Sequence, residues 1–341
     1  MRPQKENVAP AAKNVFAADL GGTKISAAVV GRRGRIVARV TERVDTSSKS
    51  APVLQIRRLA EQLARPLRAS EAFEAGAVAV PGLVRRTGTV WAPNLPGWES
   101  MPLGTRLQRL LGIPMSIESD RNAAALGETW LGAARGKSDA VMLIIGTGIG
   151  AGIIAGGRIV RGAHELSGCA GWMVVNDCQA NETAHVGQLE AFTAGPGIAR
   201  TAANRIKAGV NGALGMFRPE GVTSRDVAEA ANEGDPEAVA IFENAGRMLG
   251  RAVANIVSLL DPEVIILGGG MASASDLFMP RLNEVARQWA QPLSSKQVKI
   301  KRSQLLGDAN LLGAARLAWG LANAKERGKP GKKAASSAAT V

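Results

Sequence analysis

The chain has no tyrosine, and only two cysteines and two histidines in 341 residues. Two cysteines cannot build a disulfide framework, which excludes the small disulfide-stapled secreted folds and points to a reducing compartment. No apolar run reaches the roughly 18–20 residues that a membrane helix requires. The first 13 residues, MRPQKENVAPAAK, lack the apolar core of a signal peptide. These absences lead to the expectation of a cytoplasmic protein with a short disordered leader at 1–13. Without tyrosine and with six phenylalanines, aromatic platforms for single-stranded nucleic acid are scarce. Acidic residues are also outnumbered, 29 against 42 Lys and Arg, giving a net charge of +13. The segment 325–341 carries +4 and residues 1–13 carry +2, so +6 lies in two ends of disordered composition. The rest is spread over the body of the chain, so neither a nucleic-acid partner nor a membrane partner is expected.

What is present suits an ordinary globular protein: 46% hydrophobic and 21% charged residues, in a length that allows two cored domains. NVFAADL (14–20) reads as a buried strand ending in Gly-Gly-Thr, followed by two strands joined by a GRRG turn. A helical period over 52–69 follows, then the strand AGAVAV (75–80), a Pro-broken loop (91–98), a strand at SIESD and an Ala-rich helix over 121–134. The pattern then repeats. AVMLIIG (140–146) leads into GTGIG and another hairpin, Asp235-Pro236 starts a helix to Leu260, EVIIL leads into GGG, and a last helix lies near 309–324. Two α/β halves with Gly-rich turns suggest a nucleotide-binding protein with a cleft between lobes. A dinucleotide-binding fold fits poorly, because GGTK leads into a β-hairpin rather than a helix.

Phosphate binding wants backbone N–H groups in a tight turn that only glycine permits. Three such turns follow apolar strands: Gly21-Gly22-Thr23, Gly146-Thr147-Gly148 and Gly268-Gly269-Gly270. Asp19 ends the first strand, where a carboxylate can hold Mg²⁺ through water. Asp120 in IESDRN has two readings: an N-cap for the helix at 121, or the base that phosphoryl transfer to a hydroxyl requires.

The blocks DLGGTK (19–24), VPGLV (80–84), APNLPGW (92–98), IESDRNAAALGE (117–128), GTGIGAGI (146–153), IILGGG (265–270) and GDANLLGAA (307–315) resemble the ROK family of bacterial glucokinase-like sugar kinases and related repressors. The likeness covers roughly 14–322. It implies an α/β, actin-like ATPase (ribonuclease H-like) fold, with one lobe of 14–122 plus 305–324, a second of 123–304, and an ATP and sugar cleft between them. It further implies Asp120 as base and Asn94, Gly82, Ser119, Asp120, Glu190 and Trp172 on the acceptor side. ATP would fall to Asp19, Gly21, Gly22, Thr23, Lys24, Gly146, Thr147, Gly148, Gly269 and Gly270, with Mg²⁺ at Asp19. A homodimer is the implied assembly.

The stretch GAHELSGCAGWMVV (162–175) departs from the family. The family pattern G-A-x-G-x-A-G-E-I-G-H puts its Glu on Cys169 and its His on Trp172. The following zinc run, C-x-C-G-x-x-G-C-L-E, anchored on Gly187, Leu189 and Glu190, puts its three Cys on Asn181, Thr183 and Gln188. All four zinc ligands are therefore replaced, and no zinc site is expected. Cys169, Cys178 and His185 lack the spacing of a rebuilt tetrahedral site. Cys169 is expected to pack as a small apolar group and His185 to lie in a loop. Without zinc, the 176–188 loop must be held by packing or by a dimer contact. Trp172 has two readings, stacking on a sugar face or filling core space left by the zinc module.

The phosphoryl-transfer side is complete and the acceptor side half rewritten. This favours a kinase acting on a hexose, glucose by default, or on a related polyol or cyclitol. An ATP-binding pseudokinase and a sugar-responsive regulator are the alternatives, although 13 residues before the first strand leave no room for a repressor's helix-turn-helix domain. The choice between ATP and polyphosphate as donor stays open.

Overall fold

The computed structural model describes residues 13–68, 72–177 and 183–327. Residues 1–12, most of the basic tail, and Cys178 and Asn181 lie outside that set. The chain divides into two compact units, one formed up to Ala123 and again from Asn310, the other by Ala124–Ala309.

The first unit is built on a five-stranded sheet. Its strands are β1 (Asn14–Leu20), β2 (Lys24–Gly31), β3 (Ile36–Arg43), β4 (Phe73–Val80) and, after a small hairpin of β5 (Leu83–Val84) and β6 (Val90–Trp91), β7 (Met115–Ser119). The spatial order is β3-β2-β1-β4-β7. β1 runs antiparallel to β2 and parallel to β4, and β4 parallel to β7. Helix α1 (Ala51–Ala64) buries Val53, Ile56, Leu59 and Leu63, and α2 (Leu103–Leu111) buries Leu103 and Leu107. These close a core with Phe16, Leu20 and Trp98. The helical period suggested an end at 69. The helix stops at Ala64, after Arg65 has donated its N–H to the Glu61 carbonyl, because Pro66 has no N–H to carry the ladder further.

The second unit repeats the arrangement. β8 (Ala140–Ile145), β9 (Ile149–Ala155), β10 (Arg158–Ile159), β11 (Val264–Gly268) and β12 (Lys299–Arg302) stand in the order β10-β9-β8-β11-β12. β8, β11 and β12 are parallel and β9 antiparallel to β8, the pairing of the first sheet. Its helices are α4 (Gln188–Thr193), α5 (Gly195–Lys207), α6 (Ser224–Asn232), α7 (Pro236–Leu260), α8 (Ser275–Trp289) and α9 (Pro292–Gln297), preceded in the chain by α3 (Asp120–Leu131). α7 starts where Asp235 accepts from the N–H groups of Glu237 and Ala238, with Pro236 at the first position. Its Phe242, Leu249, Val253 and Val257 face the core. α10 (Ala309–Arg327) is the last described element, so residues 325–327, expected in a disordered tail, continue its helix. The twice-repeated strand order is the ribonuclease H-like topology of actin-like ATPases.

Candidate active site

In the first unit the three parallel strands deliver their C-terminal ends to one edge. Asp19 of β1 is paired with Ala79 of β4, and Val80 with Ser119 of β7. Asp19 and Asp120 thus stand at the same edge, two strands apart, a separation of roughly 10 Å. Ligands of parallel sheets bind at this end. The turn after β1 closes by Gly21 N–H donating to the Lys24 carbonyl at 2.9 Å. Gly22 lies against Asn94, whose Nδ2 would be 3.8 Å from a Cβ at that position. Gly82 has φ +90°, and a Cβ there would come within 2.2 Å of the Trp91 carbonyl oxygen, so the Pro81-Gly82 turn admits no side chain.

Asp19 is partly buried, and burial lifts its pKa from 3.8 to about 6. Asn310 Nδ2 donates to its Oδ1 at 3.2 Å, which opposes the rise, while the nearby Asp120 charge adds to it and Lys24 opposes it. Asp120 is the first residue of α3. Its Oδ1 accepts from the Arg121 N–H at 2.7 Å, the next residue on, not from the second or third helical N–H that an N-cap serves. Burial nevertheless raises its pKa above the ordinary carboxylate value. Around it the strand-to-helix junction carries three buried polar atoms without a partner: Ser119 Oγ, Arg121 Nε and Asn122 Oδ1. A buried polar atom left unpaired costs about 1–3 kcal/mol. The three flank Asp120 in the chain, at 119, 121 and 122.

The second unit holds the other turns. Gly146 N–H donates to the Gly148 carbonyl, and the Gly146 carbonyl accepts from Gly195 N–H, the first residue of α5. Gly270 N lies 3.7 Å from where a Gly146 Cβ would stand, so the β8 and β11 turns are neighbours at one edge of the sheet. Gly269 has φ +87° and backs onto the Ile145 carbonyl, where a Cβ would sit at 2.4 Å. Thr147 is exposed at the tip of its turn. Gly195-Pro196 starts a 13-residue helix beside that turn, so the positive end of a helix stands next to Gly146. The sequence reading missed it, although Pro at the start of a helix was the available signal.

Glu190, expected to meet the acceptor, is packed against the same turn. Its Oε2 accepts from Ile149 N–H at 2.7 Å and would be 2.9 Å from a Cβ at either Gly148 or Gly171. Its bond thus braces the Gly146-Thr147-Gly148 turn. Two expectations are corrected. Cys169 does not pack as a small apolar group: it is exposed. Trp172 does not fill core space: it is 58% exposed, on a short 3₁₀ turn at Ala170–Trp172. His185 is an exposed loop residue. Among the described residues no group of three or more His, Cys, Asp or Glu is placed to hold a metal ion.

On either side of the expected zinc loop, the described residues are joined to one another. Gln188, at a family cysteine position, accepts through Oε1 from the N–H groups of Val175 and Asn176 and donates from Nε2 to the Asn176 carbonyl. Arg251 Nη1 donates to the Val175 carbonyl at 2.7 Å. Gln188→Ala removes three bonds worth about 1 kcal/mol each. We expect the 177–187 loop to be cut several-fold faster by a nonspecific protease, with smaller changes elsewhere in the digestion pattern.

The profile of the ROK family matches residues 15–320. The chain belongs to the ROK family. The glucokinase of Thermotoga maritima, a ROK relative, is 33% identical over 307 residues, covering 87% of this chain and 94% of its own. The solved ROK family glucokinase of Streptomyces griseus, in complex with glucose and AMPPNP, is 30% identical with a TM-score of 0.73, covering 90% of this chain and 99% of that one. A solved ROK family transcriptional regulator, a homolog of the E. coli MLC protein, has a TM-score of 0.81 at 24% identity, covering 92% of this chain and 80% of its own. At that identity the likeness speaks to fold alone. The sequence resemblance and the actin-like ATPase fold are thus both borne out. Among the described residues no helix is long and apolar enough to cross a membrane.

Proposed function

We propose that this ROK protein is an ATP-dependent sugar kinase that transfers the γ-phosphate to a primary hydroxyl of a hexose, with a glucose-like acceptor as default. The observation that carries this reading is the Asp120 junction: a carboxylate with a raised pKa at the C-terminal strand edge, among unpartnered buried polar atoms. A base whose pKa is moved toward neutral is better matched to taking a hydroxyl proton. Asp120 takes that proton as the acceptor oxygen attacks. The N–H groups of the Gly146-Thr147-Gly148 turn and the start of α5 hold the phosphates.

Asp19 fits a hydrated Mg²⁺. Its Oδ1 is oriented by Asn310, Oδ2 has no donor among the described residues, and the Asp120 charge makes the edge doubly acidic. Bound there, the ion would neutralise charge on the transferring phosphates. Trp172, exposed rather than in the core, suits stacking on a sugar face. A homodimer in the cytoplasm is the assembly and location in keeping with the family resemblance.

A second reading, a sugar-responsive or nucleotide-binding regulator, is favoured by Cys169 and Trp172 standing where the family has Glu and His. Incubation with Mg-ATP and a panel of hexoses, amino sugars and cyclitols separates the two. Release of ADP that depends on one class of acceptor supports the kinase. Nucleotide binding without acceptor-dependent release from any of them overturns it in favour of the regulator.

A further inference from the structure

Three segments of the second unit meet at one side chain, Glu190. The first is the Gly146-Thr147-Gly148 turn, whose following residue, Ile149, donates its N–H to Glu190 Oε2 at 2.7 Å. The second is the 3₁₀ turn at Ala170–Trp172, where a Cβ at Gly171 would stand 2.9 Å from both Cβ and Oε2 of Glu190. The third is the start of α4, which carries Glu190 in its first turn. A Cβ at Gly187, just before α4, would come within 2.7 Å of Trp172 Cα. The glycines at 148 and 171 therefore leave the space in which the carboxylate lies between the two turns.

The other carboxylate oxygen is placed differently. Glu190 is half-buried, and its Oε1 accepts no hydrogen bond among the described residues. An ionised carboxylate held at one oxygen can still accept from a hydroxyl at the other. The residue after Gly171 is Trp172, whose ring is 58% exposed. An open carboxylate oxygen and an exposed aromatic ring on adjoining segments fit a ligand that has both hydroxyls and an apolar face.

We propose that Glu190 is a positioning residue that couples acceptor binding to the Gly146-Thr147-Gly148 turn, an assignment that rests on the sugar kinase reading. An acceptor hydroxyl donating to Oε1 fixes the rotation of the carboxylate, and Oε2 then holds the Ile149 N–H in one geometry. The turn is ordered before the nucleotide arrives, so the nucleotide binds more tightly. By linkage the nucleotide tightens acceptor binding by the same factor.

The test is a pair of calorimetric titrations of the full chain with AMPPNP and excess Mg²⁺, one without acceptor and one with saturating acceptor. Glucose, glucosamine and myo-inositol serve as acceptors, and the binding of each is measured directly with and without AMPPNP. The quantity read is the ratio of the two AMPPNP dissociation constants. In the wild type an acceptor that binds should tighten AMPPNP by about fivefold or more. Glu190→Gln can turn its amide oxygen to the Ile149 N–H, but it then presents an NH₂, a donor only, where Oε1 stood. The ratio should fall to one, whatever happens to each affinity alone. Gly171→Ala keeps the carboxylate in the chain but pushes it from its place between the turns, so it should have the same effect; it decides the matter if Glu190→Gln does not fold. A merely structural Glu190 would weaken both affinities and keep the ratio. A wild-type ratio of one with an acceptor bound, or coupling retained in the deciding variant, overturns the assignment and leaves the kinase reading intact. Binding of none of the three acceptors overturns the kinase reading and the assignment with it.

Discussion

Asp120→Asn is expected to lower kcat by about 10²–10⁴-fold, the range that a positioned general base contributes, while the KM for sugar changes by only a few-fold. The amide retains an oxygen that can accept from the Arg121 N–H, as Asp120 Oδ1 does, so α3 keeps its start. What it loses is the ability to accept a proton. Asp120's pKa is raised by burial first, against the Arg121 N–H and charge. The rate should therefore fall on the acid side as this carboxylate becomes protonated. Asp19, at about 6, titrates close by and interacts with it, so the apparent values belong to the pair. Removing the charge at 120 should lower the Asp19 pKa, which a carboxyl-carbon NMR titration would read directly. A variant with unchanged kcat would remove Asp120 from the chemistry, whatever its place in the fold.

Asp19→Asn is expected to do two opposite things: abolish most Mg-ATP turnover and make the protein more stable at neutral pH. The sign follows from linkage. Asp19 has a folded-state pKa of about 6 against an ordinary 3.8 in the unfolded chain, so the folded chain holds the proton more tightly. Stability contributed by the protonated form is complete below 3.8 and is lost as pH rises through about 6. Above that the ionised carboxylate is a net cost, about 1–3 kcal/mol at the conversion of 1.36 kcal/mol per unit. An amide escapes this cost and still offers its oxygen to Asn310. The expected results are a higher denaturant midpoint at pH 7.5, a vanishing difference at pH 4, and at least a 10²-fold loss in kcat/KM for Mg-ATP. A variant no more stable than the wild type at pH 7.5 would show that the wild-type carboxylate carries no such penalty.

Much of this was legible in the sequence because it depends on neighbours in the chain. The Gly turns follow apolar strands, Asp19 and Asp120 stand at strand ends, and Asp235-Pro236 announces its helix. The replacement of all four zinc ligands was also legible. Its structural consequence was not. Gln188 shows a polar side chain at a lost cysteine, and only the folded loop shows its amide spanning Val175 and Asn176. The reading of Trp172 as core filler failed for a related reason. A large apolar residue has a strong prior for burial, and nothing local says that its turn faces solvent.

The sequence by itself determined the family, the doubled α/β pattern, the Gly-rich turns after apolar strands and the candidate base, since each is a short-range pattern of residue type and spacing. The tertiary structure decided what long-range contact decides. Asn310 meets Asp19 across 291 positions of chain, and Glu128 finds Ser303 and Leu305 as donors 175 and 177 positions away. α10 approaches α3 so closely that a Cβ at Gly313 would fall 1.7 Å from the Ala123 carbonyl oxygen. The raised pKa values of Asp19 and Asp120 belong to the same class. Each depends on desolvation and on which charges come together, and those are properties of packing rather than of sequence order.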